Sequence, residues 1–225
     1  MTSAVIVAAG SSRRMGFDKL AVELAGMPVL TRSILAFQRC EAIDHLVVVT
    51  SRERIGAVER LRDDLEVTKL HQVVEGDAER HLSVHRGLAA VPEGTTLVAV
   101  HDGARPLVTP VAISRCVAAA REHGAVSLAH RVADTLKRAD AGPTVVESVS
   151  RENLWAMETP QVFAFDLLRA AYASVIGRGD SVTDEVSAVQ SVGGAVRLVE
   201  NAEPNLKITV PADIVLAEAL LAARR

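Results

Sequence analysis

An α/β architecture, a mainly parallel sheet with helices on both faces, is what this sequence predicts, and three observations carry it. Short Val-rich apolar runs recur along the chain, stretches of helical period separate them, and polar segments containing glycine follow several of the runs. With 225 residues, 49% of them apolar, the chain can form one substantial domain that buries roughly 70% or more of its unfolded surface. A second domain of full size does not fit that length.

Taken in order, the strand-like runs are residues 4–9, 45–50, 70–74, 96–100 and 125–129, and the helical stretches between them are 28–40, 54–65, 79–91 and 110–123. Continuous apolar strands are the mark of a parallel sheet covered on both sides, with polar sites at the carboxyl ends of its strands. The loops 10–19, 76–83 and 101–106 should therefore open on one rim. From 131 to 151 the pattern changes to alternation, with Val132, Thr135 and Leu136 before Asp140-Ala141-Gly142-Pro143 and Val145, Val146 and Val149 after it. This reads as a β-hairpin. A lone two-stranded ribbon is marginal in water, so it is expected to protrude as an arm onto another subunit; an extended loop folded back on its own domain is the alternative. Helices at 164–175 and 183–192, a strand at 195–199 and a closing helix from Pro211 complete the chain. The expected whole is Rossmann-like, a single domain over 1–225 with the arm at about 131–151.

Composition narrows the partners. Net charge is −3, from 25 Lys and Arg against 28 Asp and Glu, and the aromatics are only Phe17, Phe37, Trp155, Phe163, Phe165 and Tyr172. That gives neither a basic footprint nor a stacking platform, so nucleic acid is not an expected partner. The apolar stretches 46–49 and 217–223 are far short of a membrane span, and Arg13 and Arg14 follow the first apolar run instead of preceding it as in a signal peptide. A cytoplasmic location is expected. Cys40 and Cys116, with no C-x-x-C, read as reduced thiols.

The opening segment is the most telling one. Ala4-Val5-Ile6-Val7-Ala8-Ala9-Gly10-Ser11-Ser12-Arg13-Arg14-Met15-Gly16, with Lys19 after it, is a buried-strand pattern that breaks into small residues and cations. Small residues let backbone N–H groups approach phosphate oxygens, Arg supplies a fork of donors and Lys a mobile charge, so the loop could neutralise a polyphosphate. A plain strand-to-helix turn with a solvated basic edge is the other reading. Neither G-x-x-x-x-G-K-[ST] nor G-x-G-x-x-G is present.

Further along, His101-Asp102-Gly103-Ala104-Arg105-Pro106 puts a carboxylate and a guanidinium just past a strand. Asp102 could serve a divalent ion or a hydroxyl and Arg105 a phosphate, or the two could form a structural ion pair. Thr159-Pro160-Gln161, Thr183-Asp184-Glu185 and Asn205-Leu206-Lys207-Ile208-Thr209 add polar groups in apolar surroundings, although Thr183 could simply cap a helix. His81 and His85 stand four apart but lack a third metal ligand of suitable spacing, and no G-x-S-x-G accompanies Ser83.

These segments in this order resemble the 2-C-methyl-D-erythritol 4-phosphate cytidylyltransferase family of the non-mevalonate isoprenoid pathway. The carriers are 8–16 with Lys19, Arg80-His81-Leu82-Ser83-Val84, 101–106, Asp134-Thr135 with Lys137, Arg151-Glu152-Asn153-Leu154-Trp155 with 159–161, 183–185 and 205–209. The opening loop is shared with many nucleotidyltransferases, whereas the 151–161 segment and the motif around Lys207 are more specific. The resemblance implies transfer of a cytidylyl group from CTP to methylerythritol 4-phosphate with release of pyrophosphate. It implies CTP on Ala8, Ala9, Gly10, Ser12, Gly76 and Ser83, and catalysis by Arg14, Lys19 and Lys207. Mg²⁺ would be held mainly by the CTP phosphates, with Asp102 the carboxylate near it. The acceptor would meet Asp102, Thr159, Thr183 and Lys207, while Arg105, Thr135 and Arg151 would come from the arm side of a partner in a homodimer. Ser12 stands where the family usually has glycine, Asp18 where proline often precedes the lysine, and Asp77 where a second glycine is common. Ribitol-5-phosphate and molybdopterin cytidylyltransferases share the loop, and a nucleotide-binding module without turnover is the alternative outside enzymes.

Overall fold

Seven strands in the order β11-β7-β10-β6-β1-β4-β5 form the sheet of the computed structural model, which describes residues 1–10 and 16–224. In chain order the elements are β1 (Thr2–Ala8), the two-residue pair β2 (Glu23–Leu24) and β3 (Met27–Pro28), α1 (Val29–Gln38), β4 (His45–Thr50), α2 (Ile55–Glu59), α3 (Leu61–Asp64), β5 (Leu70–Glu75) and α4 (Arg80–Ala89). There follow β6 (Leu97–Asp102), α5 (Pro110–His123), β7 (Ala125–Arg131), the ribbon β8 (Leu136–Ala139) and β9 (Val145–Val149), β10 (Trp155–Ala164), α6 (Phe165–Arg178), α7 (Glu185–Gln190), β11 (Arg197–Glu200) and α8 (Ala212–Ala223). Neighbouring strands are parallel except at β10, which runs antiparallel to both β6 and β7.

The strands are apolar on both faces because both faces are covered. Along β1, Ile6 joins Phe37 of α1 and Ile113 of α5 in one core, while Val5 joins Val84 of α4 and Leu168 of α6 in the other. This is the period-two alternation of a pleated strand read into two separate cores. Helix α4 lies so close to the sheet that a Cβ on Gly87 would come within 2.4 Å of Val5 Cγ1. The ends of α5 are written in the sequence: the Thr109 hydroxyl accepts from the Ala112 N–H, Pro110 opens the first turn, and Gly124 closes the helix at φ 76°.

Four expectations are corrected. Residues 54–65 are not one helix but a 3₁₀ turn (Arg52–Arg54) followed by α2 and α3, a stretch in which only Val58 is buried and little apolar surface holds a long helix to the sheet. His101 and Asp102 are the last residues of β6, not a loop beyond it. The cap of α7 is Asp184, whose carboxylate accepts from the Ser187 N–H at 2.9 Å, and not Thr183. The strand β10 falls where the sequence offered only a motif, because Glu158, Thr159, Pro160 and Gln161 interrupt its apolar pattern and its register shifts between Met157 and Gln161.

The ribbon β8–β9 pairs antiparallel with itself and with neither edge of the main sheet. Asp140 makes its turn, accepting from the N–H groups of Gly142 and Thr144 at 2.8 and 3.0 Å. Nearly all of its residues are exposed, Val145 and Val146 included.

Candidate active site

The carboxyl ends of β1, β4, β5 and β6 meet on one rim, and the reversed strand β10 brings Thr159 to the same place. A cleft of about 160 Å³ opens there, with Ala8, Gly10, Lys19, Arg80, Ser83, Asp102 and Lys207 in its walls. Close approach of the β5–α4 loop to β1 requires glycine at 76, where a Cβ would come within 2.2 Å of Ala9 Cβ. Ser83, on the first turns of α4, accepts from the Asp77 N–H at 2.9 Å and so fixes the loop that faces the cleft.

Asp102 is the centre of the charge pattern. Its Oδ1 accepts from Arg80 Nε at 3.1 Å, its Oδ2 from Lys207 Nζ at 2.6 Å, and Arg105 Nε lies 4.0 Å away. Burial by itself would raise the carboxyl, but the Arg80 guanidinium and the Lys207 ammonium outweigh it and hold Asp102 well below the usual carboxylate range. Arg80 is gripped in turn by Glu185, a fully buried carboxylate, through a fork of 2.7 and 3.0 Å. Tyr172 donates its hydroxyl to the same carboxylate at 2.9 Å, and burial pushes that phenol upward, so it stays a donor. A row of groups from Tyr172 through Glu185 and Arg80 thus ends on Asp102.

A second row supports Asp102 from behind. Burial pushes His101 down to about 3, so its ring is neutral near pH 7, with one donor and one acceptor nitrogen. The Arg105 carbonyl, 3.2 Å from Nε2, can only accept; Nε2 therefore carries the proton, and Nδ1 accepts from the Thr159 hydroxyl at 2.9 Å. The Thr159 oxygen then accepts from the Asp102 N–H at 3.1 Å. Each polar group in this row has a defined direction.

The other wall is the segment between β11 and α8. Glu158, buried, accepts from the side-chain amides of Asn201 and Asn205 at 2.9 Å each and pairs with His130 Nδ1 at 2.6 Å. The Ile208 N–H donates to Ala104 O at 2.8 Å, and Lys19 Nζ donates to Ile208 O at 2.7 Å. These ties bring Lys207 to Asp102 and the Lys19 ammonium to the residue beside Lys207.

Of the residues expected from sequence, Ala8, Gly10, Lys19, Ser83, Asp102 and Lys207 line this one cleft, and Ala9 and Gly76 pack beside it. Thr159 is buried behind Asp102. Thr183, Thr135 and Arg151 are exposed and do not line the cleft of their own chain; Arg151 donates to Ala133 O at the base of the ribbon. Ser12 and Arg14 lie outside the described residues. The grouping of Arg105 with the arm is corrected: three residues after Asp102, it is anchored in the body of its own chain by Asn205 O at 2.8 Å and Met157 O at 3.2 Å. Sequence reasoning named Arg80 and Glu185 only as members of the segments that carry the resemblance and Tyr172 only among the aromatics, and gave none of the three a place in the site. His81 is buried beside Glu79, and no group of metal-ligating side chains is found among the described residues.

A parallel sheet whose rim joins a strand-to-loop turn, two lysines and a buried carboxylate ringed by cations defines a nucleotidyltransferase. The model of the 2-C-methyl-D-erythritol 4-phosphate cytidylyltransferase family, IspD, matches residues 2–223, and the chain belongs to that family. Proteins of that name from Caldanaerobacter subterraneus subsp. tengcongensis and Alkaliphilus oremlandii are 40% and 36% identical to it, over 97% and 100% of this chain and 98% and 96% of theirs. A crystal structure of 4-diphosphocytidyl-2C-methyl-D-erythritol synthase from Anaerococcus prevotii superimposes with a TM-score of 0.87 at 29% identity, covering 98% of this chain and 96% of that one.

Proposed function

We propose that this chain joins CTP to 2-C-methyl-D-erythritol 4-phosphate, giving 4-diphosphocytidyl-2-C-methyl-D-erythritol and pyrophosphate, and that it does so as one nucleotidyltransferase domain. The observation that carries the reading is the convergence of Lys19, Asp102 and Lys207 on one cleft in a chain matched by the family almost from end to end. In the reaction a phosphate oxygen of the acceptor forms a bond to the α-phosphorus of CTP, and the bond from that phosphorus to the bridging oxygen breaks, its electrons leaving with pyrophosphate. The acceptor phosphate is an anion at neutral pH and needs no general base. The barrier lies in bringing two anions together, so the work is positioning and charge neutralisation.

Lys19 and Lys207 both supply cations to the cleft, Lys19 Nζ reaching the carbonyl of Ile208 beside Lys207, and Arg14 is assigned to the same triphosphate. Lys207 gives one of its three ammonium donors to Asp102, which holds the side chain in place and leaves two donors for a ligand. Mg²⁺ fits this donor set as an ion carried by the triphosphate: Asp102 is the carboxylate at hand, both of its oxygens already serve cations, and the described residues offer no protein cage. There it would supply charge neutralisation at the phosphates.

The exposed ribbon, with Val145 and Val146 turned to solvent, fits an arm that packs on a second copy and brings Thr135 and Arg151 to the partner's acceptor site. No helix among the described residues is long and apolar enough to cross a membrane, Cys40 and Cys116 are free, and a cytoplasmic homodimer is the form we assign. The test is pyrophosphate release from CTP and Mg²⁺ with methylerythritol 4-phosphate and ribitol 5-phosphate side by side. The first should be used far better, since a hydrogen-bonding pocket rejects an acceptor that leaves its polar groups unpaired. Equal or better use of ribitol 5-phosphate would overturn the assignment.

A further inference from the structure

Lys19 is a flexible side chain in a loop, yet the backbone on each side of it is fixed. After it comes Leu20, buried in the core, whose carbonyl accepts from the Leu30 N–H at 3.1 Å. Before it comes Asp18. The Asp18 carboxylate is held by a forked guanidinium: Arg54 Nε to Oδ2 at 2.7 Å and Nη2 to Oδ1 at 2.9 Å. The remaining terminal nitrogen, Nη1, donates to Ala8 O at 2.9 Å and lies 3.5 Å from Thr50 Oγ1. Asp18 Oδ1 also accepts from the Leu20 N–H at 3.1 Å, across Lys19 itself.

One planar group therefore ties the residue before Lys19 to the ends of two central strands, β1 and β4. An exposed ion pair would count for little, but here the pair is bidentate, Arg54 is mostly buried, and the guanidinium fork also serves a strand-end carbonyl. We propose that Arg54 and Asp18 are positioning residues for Lys19, a guanidinium clamp that stiffens the backbone before it. Neither lines the cleft; they fix where the Lys19 backbone stands relative to the end of β1. The inference rests on the cytidylyltransferase reading, because Lys19 is assigned its charge-stabilising role there.

The experiment is a double-mutant cycle with Arg54→Ala and Lys19→Ala, reading kcat with CTP and methylerythritol 4-phosphate and, on the same four proteins, the Kd for CTP by calorimetry. Arg54→Ala alone should lower kcat about tenfold, since a misplacement of about 1 Å can cost up to a hundredfold. In the Lys19→Ala background it should lower kcat less than twofold, because the group it positions is gone. Arg54→Lys, which keeps the charge but not the fork, should not restore the rate, and Asp18→Asn should reproduce the loss; if Arg54→Ala does not fold, Asp18→Asn takes its place in the cycle. An equal loss in both backgrounds, or no loss in the native one, overturns the proposal. Wild-type turnover tests the cytidylyltransferase reading separately. Were it to fail, the calorimetric cycle would still decide: CTP affinity should fall about threefold or more with Arg54→Ala only while Lys19 is present.

Discussion

The rim of the sheet and the β8–β9 ribbon are built on opposite terms. At the rim, charged groups are buried and cross-linked: Glu185 grips Arg80, Arg80 and Lys207 grip Asp102, and Thr159 and His101 hold the Asp102 backbone from behind. In the ribbon all side chains but the half-buried Leu136 and Val149 are exposed, and its polar pairs, Arg138 with Glu147 and Lys137 with Ser148, are solvent-facing. The rim is preorganised by its own domain, whereas the ribbon pairs only with itself and has no core of its own. A cluster of cations held around one carboxylate can meet a triphosphate without rearranging, which is what charge stabilisation in an active site requires. The ribbon, by contrast, lines no part of the cleft of its own chain.

The largest effects should follow from changes at the rim. Lys19→Ala and Lys207→Ala should each lower kcat by about a hundredfold or more, on the order of 3–4 kcal/mol of transition-state stabilisation, while the protein stays folded. Steady-state kinetics with circular dichroism checks this. A loss confined to KM for CTP would assign both lysines to ground-state binding and leave the rim without its catalytic charge.

A smaller effect separates the buried rim from the solvated ribbon by pH. His101 titrates at about 3 in the fold and near its ordinary value of about 6.5 in the unfolded chain, so between those values the unfolded chain binds the extra proton. Its stabilising share is complete above about pH 6.5 and is lost as pH falls toward 3. Going from pH 7 to pH 5 should remove about 2 kcal/mol through this one group. Urea unfolding at the two pH values should show that loss in the wild type and a flatter dependence in His101→Gln. An unchanged slope in the variant would show that the ring is not held neutral.

Much of this contrast was legible in the sequence. The order of most strands along the chain and the exposed alternation around Asp140 were readable because each is a local pattern of period or turn chemistry. The strand β10 was not, because buried polar residues 158–161 serve the site and break the apolar run by which strands are recognised. Nor was the Arg80–Glu185 fork, which joins a helix start to a second helix start far along the chain and leaves no local trace. Arg105 was misplaced for a related reason: a motif gives spacing along the chain, and only the fold shows that its guanidinium turns inward to Asn205 and Met157. Asp18 was visible as a departure, but its meaning depended on Arg54 reaching across from the turn after β4.

The claim that joins the two regions is that the rim of one chain is completed by the ribbon base of another, and mixed dimers test it most directly. Lys19→Ala and Arg151→Ala homodimers should both be nearly inactive. Co-expressed in equal amounts, the two chains form mixed dimers half of the time, and one of the two sites in each pairs an intact Lys19 with an intact Arg151. About a quarter of wild-type activity per site should therefore return by two-fold symmetry. Activity that stays at the level of the parents, with mixed dimers shown to form, would mean that Arg151 serves its own subunit and would contradict the account.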